Sequence, residues 1–248
     1  MYKRVIMEFP NVRDVMEYHT ARFGAPGMKR QPKQKLTPEQ MAFKNQKNKE
    51  RKCLWRLWNN FLENDYFVTF TYAKDARPPD MKAAQKDWRD ATKIMRREFR
   101  KRGYELKWIR NIEVGSKGAW HIHAVINRIP DVDLIMKEAW PHGKVHFQLM
   151  YQKGEFRELA AYLTKSPRTD PRLKESNYST SKNLPIPEPK EKILKSGTFG
   201  KNGKVRVPKG YYLDKNSYYE GVNPKTGYLY RSYTLIRIHK QKNRRNNP

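Results

Sequence analysis

The segment from Glu105 to Asn127 constrains this chain more than any other. Two apolar runs, Leu106–Val114 and Ala119–Ile126, flank Gly115-Ser-Lys-Gly118. That pattern predicts an antiparallel hairpin, and its loop fixes the register. Three-residue hairpin loops commonly end in a residue with positive φ, usually glycine. A Ser116-Lys117-Gly118 loop sets Gly115 opposite Ala119, Val114 opposite Trp120 and Glu113 opposite His121. Side chains alternate faces along a strand, and residues opposite one another share a face. Glu113, His121 and His123 therefore gather on one side of the sheet. Ile112, Val114, Ile122, Ala124 and Ile126 fall on the other. A slip of one residue would send Glu113 into the core.

Two imidazoles and a carboxylate on one face are a candidate site for a divalent cation that keeps open coordination positions. Such positions let a metal polarise a phosphate oxygen. The plainer reading is a histidine pair on a surface that binds no metal, or one that stacks on bases.

The neighbouring elements follow from period and punctuation. Residues 1–36 are basic and interrupted by Gly24-Ala-Pro-Gly27, and read as an arm. Thr37-Pro-Glu-Gln40 is a capping box that opens a helix running to about residue 64. Tyr66–Tyr72 is a strand. Asp80–Arg102 is a helix ended by Gly103. After the hairpin come a short helix over Asp131–Trp140, a strand over Val145–Met150 and a helix over Phe156–Lys165. The expected organisation is an N-terminal arm and helix over 1–64, a nucleic-acid-processing domain over 65–168, and a linker with a basic, tyrosine-rich extension over 169–248. Within it, the order β-α-β-β-α-β-α predicts an α+β fold. This is a ferredoxin-like (RRM-like) antiparallel sheet with helices on one face and the site on the open face.

Composition selects the partner. The chain carries 53 Lys+Arg against 25 Asp+Glu, a net charge of +28 over 248 residues. That excess is a footprint for a polyanion, nucleic acid first. Aromatic residues at 12% supply stacking surfaces for unpaired bases. The single cysteine, Cys53, excludes an internal disulfide and a cysteine-based zinc site. No segment approaches the roughly 20 apolar residues of a membrane span, and no signal peptide is evident. A cytoplasmic protein without membrane partners is expected.

The helix over Phe156–Lys165 adds a candidate nucleophile. Tyr162 and Lys165 are i and i+3 and share a face. A nearby ammonium and metal would favour the phenolate. Tyr151 and Tyr178 are alternative nucleophiles. Phe67, Thr69, Lys117, Arg128 and His146 are candidate DNA contacts beside the site.

Taken together, these motifs resemble the HUH endonucleases, specifically the single-tyrosine rolling-circle replication initiators of plasmids, phages and small DNA viruses. Phe67-Val-Thr-Phe-Thr-Tyr72 is similar to the family's first-strand motif. His121-Ile-His123 matches His-hydrophobic-His, with Glu113 where many members carry a third ligand. Tyr162-Leu-Thr-Lys165 matches Tyr-x-x-Lys. The resemblance implies that Glu113, His121 and His123 hold Mg²⁺ or Mn²⁺ against a phosphate of single-stranded origin DNA. It implies that Tyr162 attacks phosphorus and keeps the 5′-phosphate, while Lys165 steadies charge. A bacterial host, with its helicase and polymerase as partners, is implied as well. No phosphate-loop motif is present. A relaxase or transposase of the same chemistry is the near alternative, and a non-catalytic single-stranded nucleic-acid binder the distant one. Histidines must be neutral to bind metal, so activity is expected to fall below about pH 6.

Overall fold

The computed structural model describes residues 2–19, 35–115, 117–150, 156–165, 177–194, 204–222 and 228–238. Along the chain these form β1 (Tyr2–Glu8), β2 (Val12–His19), α1 (Pro38–Asn60), β3 (Tyr66–Thr71), α2 (Met81–Lys101), β4 (Trp108–Val114) and β5 (Trp120–Ile126). Then follow α3 (Val132–Ala139), β6 (Val145–Leu149), α4 (Arg157–Thr164), β7 (Tyr178–Thr180), β8 (Lys190–Leu194), β9 (Tyr211–Val222) and β10 (Leu229–Arg237). The architecture is mixed α+β, with two antiparallel five-stranded sheets. The chain divides into two compact units, residues 43–186 and residues 1–42 with 187–248. This division differs from the expected boundaries at 64/65 and 168/169.

The unit over 43–186 carries the sheet with strand order β6-β3-β5-β4-β7. Its hairpin pairs Val114 with Trp120 and Glu113 with His121, the register set by the loop. Gly115 N–H donates to the Ala119 carbonyl at 2.8 Å, and Gly118 adopts φ +68°, a conformation that favours glycine. β3 lies on the other side of β5, with Thr69 opposite His123 and Thr71 opposite His121. One face of this sheet holds the core. Val68, Phe70, Ile112, Ile122, Ala124 and Ile126 pack against Ala84, Trp88, Ala91, Met95 and Phe99 of α2 and against Val132, Ile135 and Met136 of α3. Asp80 caps α2 by accepting from the Ala83 N–H at 2.8 Å, and Gly103 at φ +78° ends it.

The opposite face was expected to be open, and half of it is not. Ile109 and Asn111 of β4 and Val125 of β5 point to that side, yet all three are fully buried. α4 lies against β4, where the Asn111 Nδ2 donates to the Tyr162 carbonyl at 3.4 Å. α1 joins it: the Gln46 Nε2 donates to the Thr164 carbonyl at 3.1 Å, and Lys49 stands over the Tyr178 ring of β7. Cys53, Leu54, Leu57 and Trp58 supply the buried side of α1. Helices thus cover both faces, and only the β3, β5 and β6 part of the second face stays accessible.

The expected arm and linker are corrected too. Over residues 2–19 the supposed arm is a β-hairpin, with Tyr2 opposite His19 and Glu8 opposite Arg13. It is the middle of the second sheet, in order β8-β1-β2-β10-β9. Part of the supposed linker forms β7 and β8. Charged residues hide these strands. Glu17 is fully buried and accepts from Arg4 Nε at 2.5 Å, from Tyr2 and Tyr233 hydroxyls at 3.2 Å each, and from Arg231. The capping box at Thr37 forms as expected, with reciprocal bonds to Gln40 of 3.1 and 3.3 Å.

Candidate active site

β4, β5 and α4 bring four side chains to one spot. The register sets Glu113 beside His121, and the period of two carries His123 to the same side. α4 places Tyr162 above them. The Tyr162 hydroxyl donates to Glu113 Oε2 at 3.2 Å. The same oxygen lies 3.6 Å from His123 Nε2. The Tyr162 and His123 rings meet edge to face with centroids 5.2 Å apart. Phe67 stacks parallel to His123 at 5.8 Å and meets Tyr162 edge-on at 6.0 Å.

Neighbours hold these groups in place. Thr69 Oγ1 lies 3.0 Å from His123 Nδ1. When Nδ1 carries the proton and donates it there, Nε2 presents its lone pair toward Glu113. Asn111 Nδ2 donates to Glu113 Oε1 at 3.3 Å, and Asn177 Nδ2 donates to Asn111 Oδ1 at 2.6 Å. Asn111 and Asn177 are buried polar residues, and sequence reasoning did not single them out. The signal for Asn111 was present: an amide inside an apolar strand, opposite His123 in the same register. Asn177 had no such signal, because its contact spans 66 residues.

Burial sets the protonation states. It pushes the His123 imidazole down to about 4, with help from His121. His121 is lowered also, by burial first, with Glu113 opposing and Arg77 assisting. Both rings are therefore neutral near pH 7, as a metal ligand must be. Burial, then the Glu113 charge and its hydrogen bond, holds the Tyr162 hydroxyl well above the usual phenol range.

The expected ligand set is only partly assembled. With metal–ligand bonds of about 2.1 Å, two donors on one ion at a wide angle stand about 3.6 Å apart, the separation between His123 Nε2 and Glu113 Oε2. His121 is further off, its ring centroid 6.1 Å from that of His123. Among the described residues no three His, Cys, Asp or Glu side chains stand close enough to hold a metal ion. Glu113 is drawn toward Tyr162 instead. The donor chemistry fits a divalent cation, and closing the set requires His121 to turn inward.

The remaining candidates divide. Thr69 and Phe67 sit at the site. His146 on β6 is exposed, and its register opposite Thr69 puts it on the same face. Lys165 follows α4 with its side chain exposed and without a hydrogen bond or ion pair among the described residues. Its carbonyl is what binds locally, accepting from Asn177 Nδ2 at 3.1 Å. Arg128 stands over the ring of Tyr66, whose side chain packs toward the core side. Lys117 is exposed on the hairpin turn, and its carbonyl is 3.5 Å from Arg77 Nη1. Tyr178 is packed between β4 and α1, where burial and Cys53 raise its hydroxyl pKa, so it is a poor rival to Tyr162. Tyr151 lies outside the described residues.

Residues 65–167 match the family model of the replication-associated protein ORF2, a match consistent with a replication initiator. The matched segment runs from β3 through α4 and contains Glu113, His121, His123 and Tyr162. No curated protein and no solved structure matches the chain. No helix among the described residues is long and apolar enough to cross a membrane.

Proposed function

We propose that this face belongs to a metal-dependent nickase and joinase of single-stranded DNA, which starts and ends rolling-circle replication. One observation carries the reading: a tyrosine hydroxyl and an imidazole share a single carboxylate oxygen on a sheet face. Packing a structural tyrosine requires no such sharing. The strand order supports a ferredoxin-like core, since β3 and β4 flank β5 and are linked through α2, a split β-α-β arrangement. The family match supports a role in replication.

In this reading Glu113, His123 and His121 would hold Mg²⁺ or Mn²⁺, which when bound polarises the scissile phosphate. Tyr162 Oη attacks phosphorus. The bond from phosphorus to the 3′-oxygen breaks as the bond to Tyr162 forms. Glu113 is positioned to take the phenol proton, and the departing 3′-oxygen gains a proton to become a free hydroxyl. Phosphodiester is exchanged for phosphotyrosine, so reversal rejoins the strand with no nucleotide cofactor. Until then burial and Glu113 keep the tyrosine protonated and idle. Phe67, stacked on His123, offers a platform for a base next to the cleaved bond. Lys165, exposed at the end of α4, contributes a cation to the phosphate path.

The test uses labelled single strands tiled across the DNA that encodes the protein, with Mn²⁺ or EDTA. A covalent protein–DNA band is expected with Mn²⁺, lost in EDTA and in Tyr162→Phe by on the order of 10³-fold or more. An adduct surviving Tyr162→Phe would reject the nucleophile. Binding of every strand without cleavage of any would favour a non-catalytic binder.

A further inference from the structure

α2 carries a second feature, on the face of the sheet opposite the candidate site. Lys82, Lys86, Arg89, Lys93, Arg96, Arg97 and Arg100 are all exposed. At 3.6 residues per turn these seven fall within an arc of about 100°, and Lys82 to Arg100 spans about 27 Å. The acidic residues of the helix lie on one flank, outside that arc. Asp87 faces inward and accepts from the Tyr72 hydroxyl at 3.1 Å. Glu98 is taken up by Lys101, Arg102 and Arg97. Asp90 reaches only Lys86, at 3.9 Å. Arg89, Lys93, Arg96 and Arg100 make no side-chain hydrogen bond or ion pair among the described residues.

A basic chain has cations everywhere, so α1 serves as the comparison. Its Lys44, Lys47, Lys49, Arg51, Lys52 and Arg56 spread over about twice that arc at the same helical period. Lys49, Arg51 and Arg56 are partly buried, and Lys47 is paired with Glu50. The alignment on α2 is thus not a consequence of composition alone. Beneath it, burial and the charge of Arg89 push buried Arg110 down to about 10.

The geometry points to the outer face of α2 as a docking surface for the phosphate backbone of duplex DNA, separate from the strand-cutting face. This rests on reading the chain as a DNA-handling protein. Charge complementarity selects a polyanion. The row presents no aromatic or apolar side chain, and α2 turns Trp88 and Phe99 inward. Single-strand grooves stack bases on aromatics, and helices lying on membranes need an apolar face. A straight row of cations suits the regular backbone of a duplex, whose contacts position rather than read sequence. One face of the sheet would then hold the unpaired strand while the other grips adjoining duplex.

The experiment measures binding of the full chain to a 24-base-pair duplex and to a 24-nucleotide oligothymidine strand by fluorescence anisotropy across salt. The variant is Lys86→Gln/Arg89→Gln/Lys93→Gln/Arg96→Gln. On the duplex, the slope of log K against log salt should become shallower by about 2–4, near 0.9 per lost phosphate contact. On oligothymidine it should change little. A variant removing four cations from α1, Lys44→Gln/Lys47→Gln/Arg51→Gln/Lys52→Gln, should leave the duplex slope nearly intact. An unchanged duplex slope in the α2 variant overturns the proposal, as does an equal drop in the α1 variant or on oligothymidine. Glutamine is a good helix former. Should the quadruple variant unfold, Arg89→Gln/Lys93→Gln is expected to give about half the drop, and no drop there is equally decisive. The slope reads binding, so a wild-type chain that never cuts DNA would sink the nickase reading and leave this measurement intact.

Discussion

Two carboxylates, Glu17 in the sheet built from the chain's ends and Glu113 in the central sheet, sit among similar groups and are used differently. Glu17 is fully buried and accepts from two arginines and two tyrosine hydroxyls, two donors on each oxygen. An ionised carboxylate offers about four acceptor positions, so Glu17 is saturated. Glu113 keeps 30% of its side chain exposed. It accepts from one hydroxyl and one amide, lies near one imidazole, and has no lysine or arginine bonded to it. A saturated carboxylate fixes strands in register. One with spare lone pairs beside a tyrosine and a histidine can take a proton or share a cation.

Exchanging each carboxylate for its amide tests that contrast most severely. Glu113→Gln should lower covalent adduct formation by about 10²–10⁴-fold, the range for a lost general base. Its stability to urea should shift by less than about 1 kcal/mol, since the site is half open to water. Glu17→Gln should do the reverse. It strands two arginines, one fully buried, at a cost of about 3–5 kcal/mol, while adduct formation per folded molecule holds. A Glu113→Gln chain that keeps its activity, or a Glu17→Gln chain that keeps its stability, breaks the distinction.

The same contrast explains what could be read from the residues alone. The hairpin register followed from local facts: a glycine at the positive-φ turn position and apolar residues at every second place. Tyr162 and the capping box at Thr37 were likewise local. The terminal sheet was illegible because Arg4, Arg13, Glu17 and Arg231 occupy inward positions, so its strands look polar. They become apolar only by mutual neutralisation, across pairings such as Arg231 with Glu17 that span 214 residues. The covering of the second face by α1 and α4 also rests on distant contacts, Gln46 to Thr164 among them. The metal set was overread for a further reason. Register places side chains on a face, but it does not reveal that Tyr162 competes for Glu113.

Thr69→Val removes the partner of His123 Nδ1 while keeping the shape of the side chain. Mn²⁺ affinity should fall by about 10–100-fold, the usual loss when the group that orients a metal-binding histidine is removed. Titration calorimetry checks this, and unchanged affinity would mean that Thr69 does not select the tautomer. Glu17 gives the matching control: Tyr233→Phe should cost stability without altering Mn²⁺ binding.

The pH expectation moves with the burial of His123. Its pKa is about 4 in the folded chain against about 6.5 when exposed. Between those values the unfolded chain binds a proton that the folded chain does not, so stability drains as pH falls from 6.5 toward 4. The ring stays a neutral ligand throughout that window. Loss of activity to His123 protonation is thus expected near pH 4, not at pH 6. Urea midpoints should drop from pH 7 to pH 4.5 in the wild type and drop less in His123→Gln. Equal drops would show that burial does not depress this imidazole.

Lys165→Gln sharpens the contrast at its weakest point. The ammonium is exposed and makes no hydrogen bond or ion pair among the described residues, while the carbonyl that binds Asn177 survives the substitution. A cation in water interacts with a phosphate at about 1 kcal/mol or less at 4 Å, and salt screens it further. Adduct formation should therefore fall by less than about tenfold, with the loss shrinking as salt rises. A drop as large as that of Glu113→Gln would mean that Lys165 swings in when DNA binds. The unsaturated carboxylate would then gain on DNA binding the cationic partner that Glu17 has permanently.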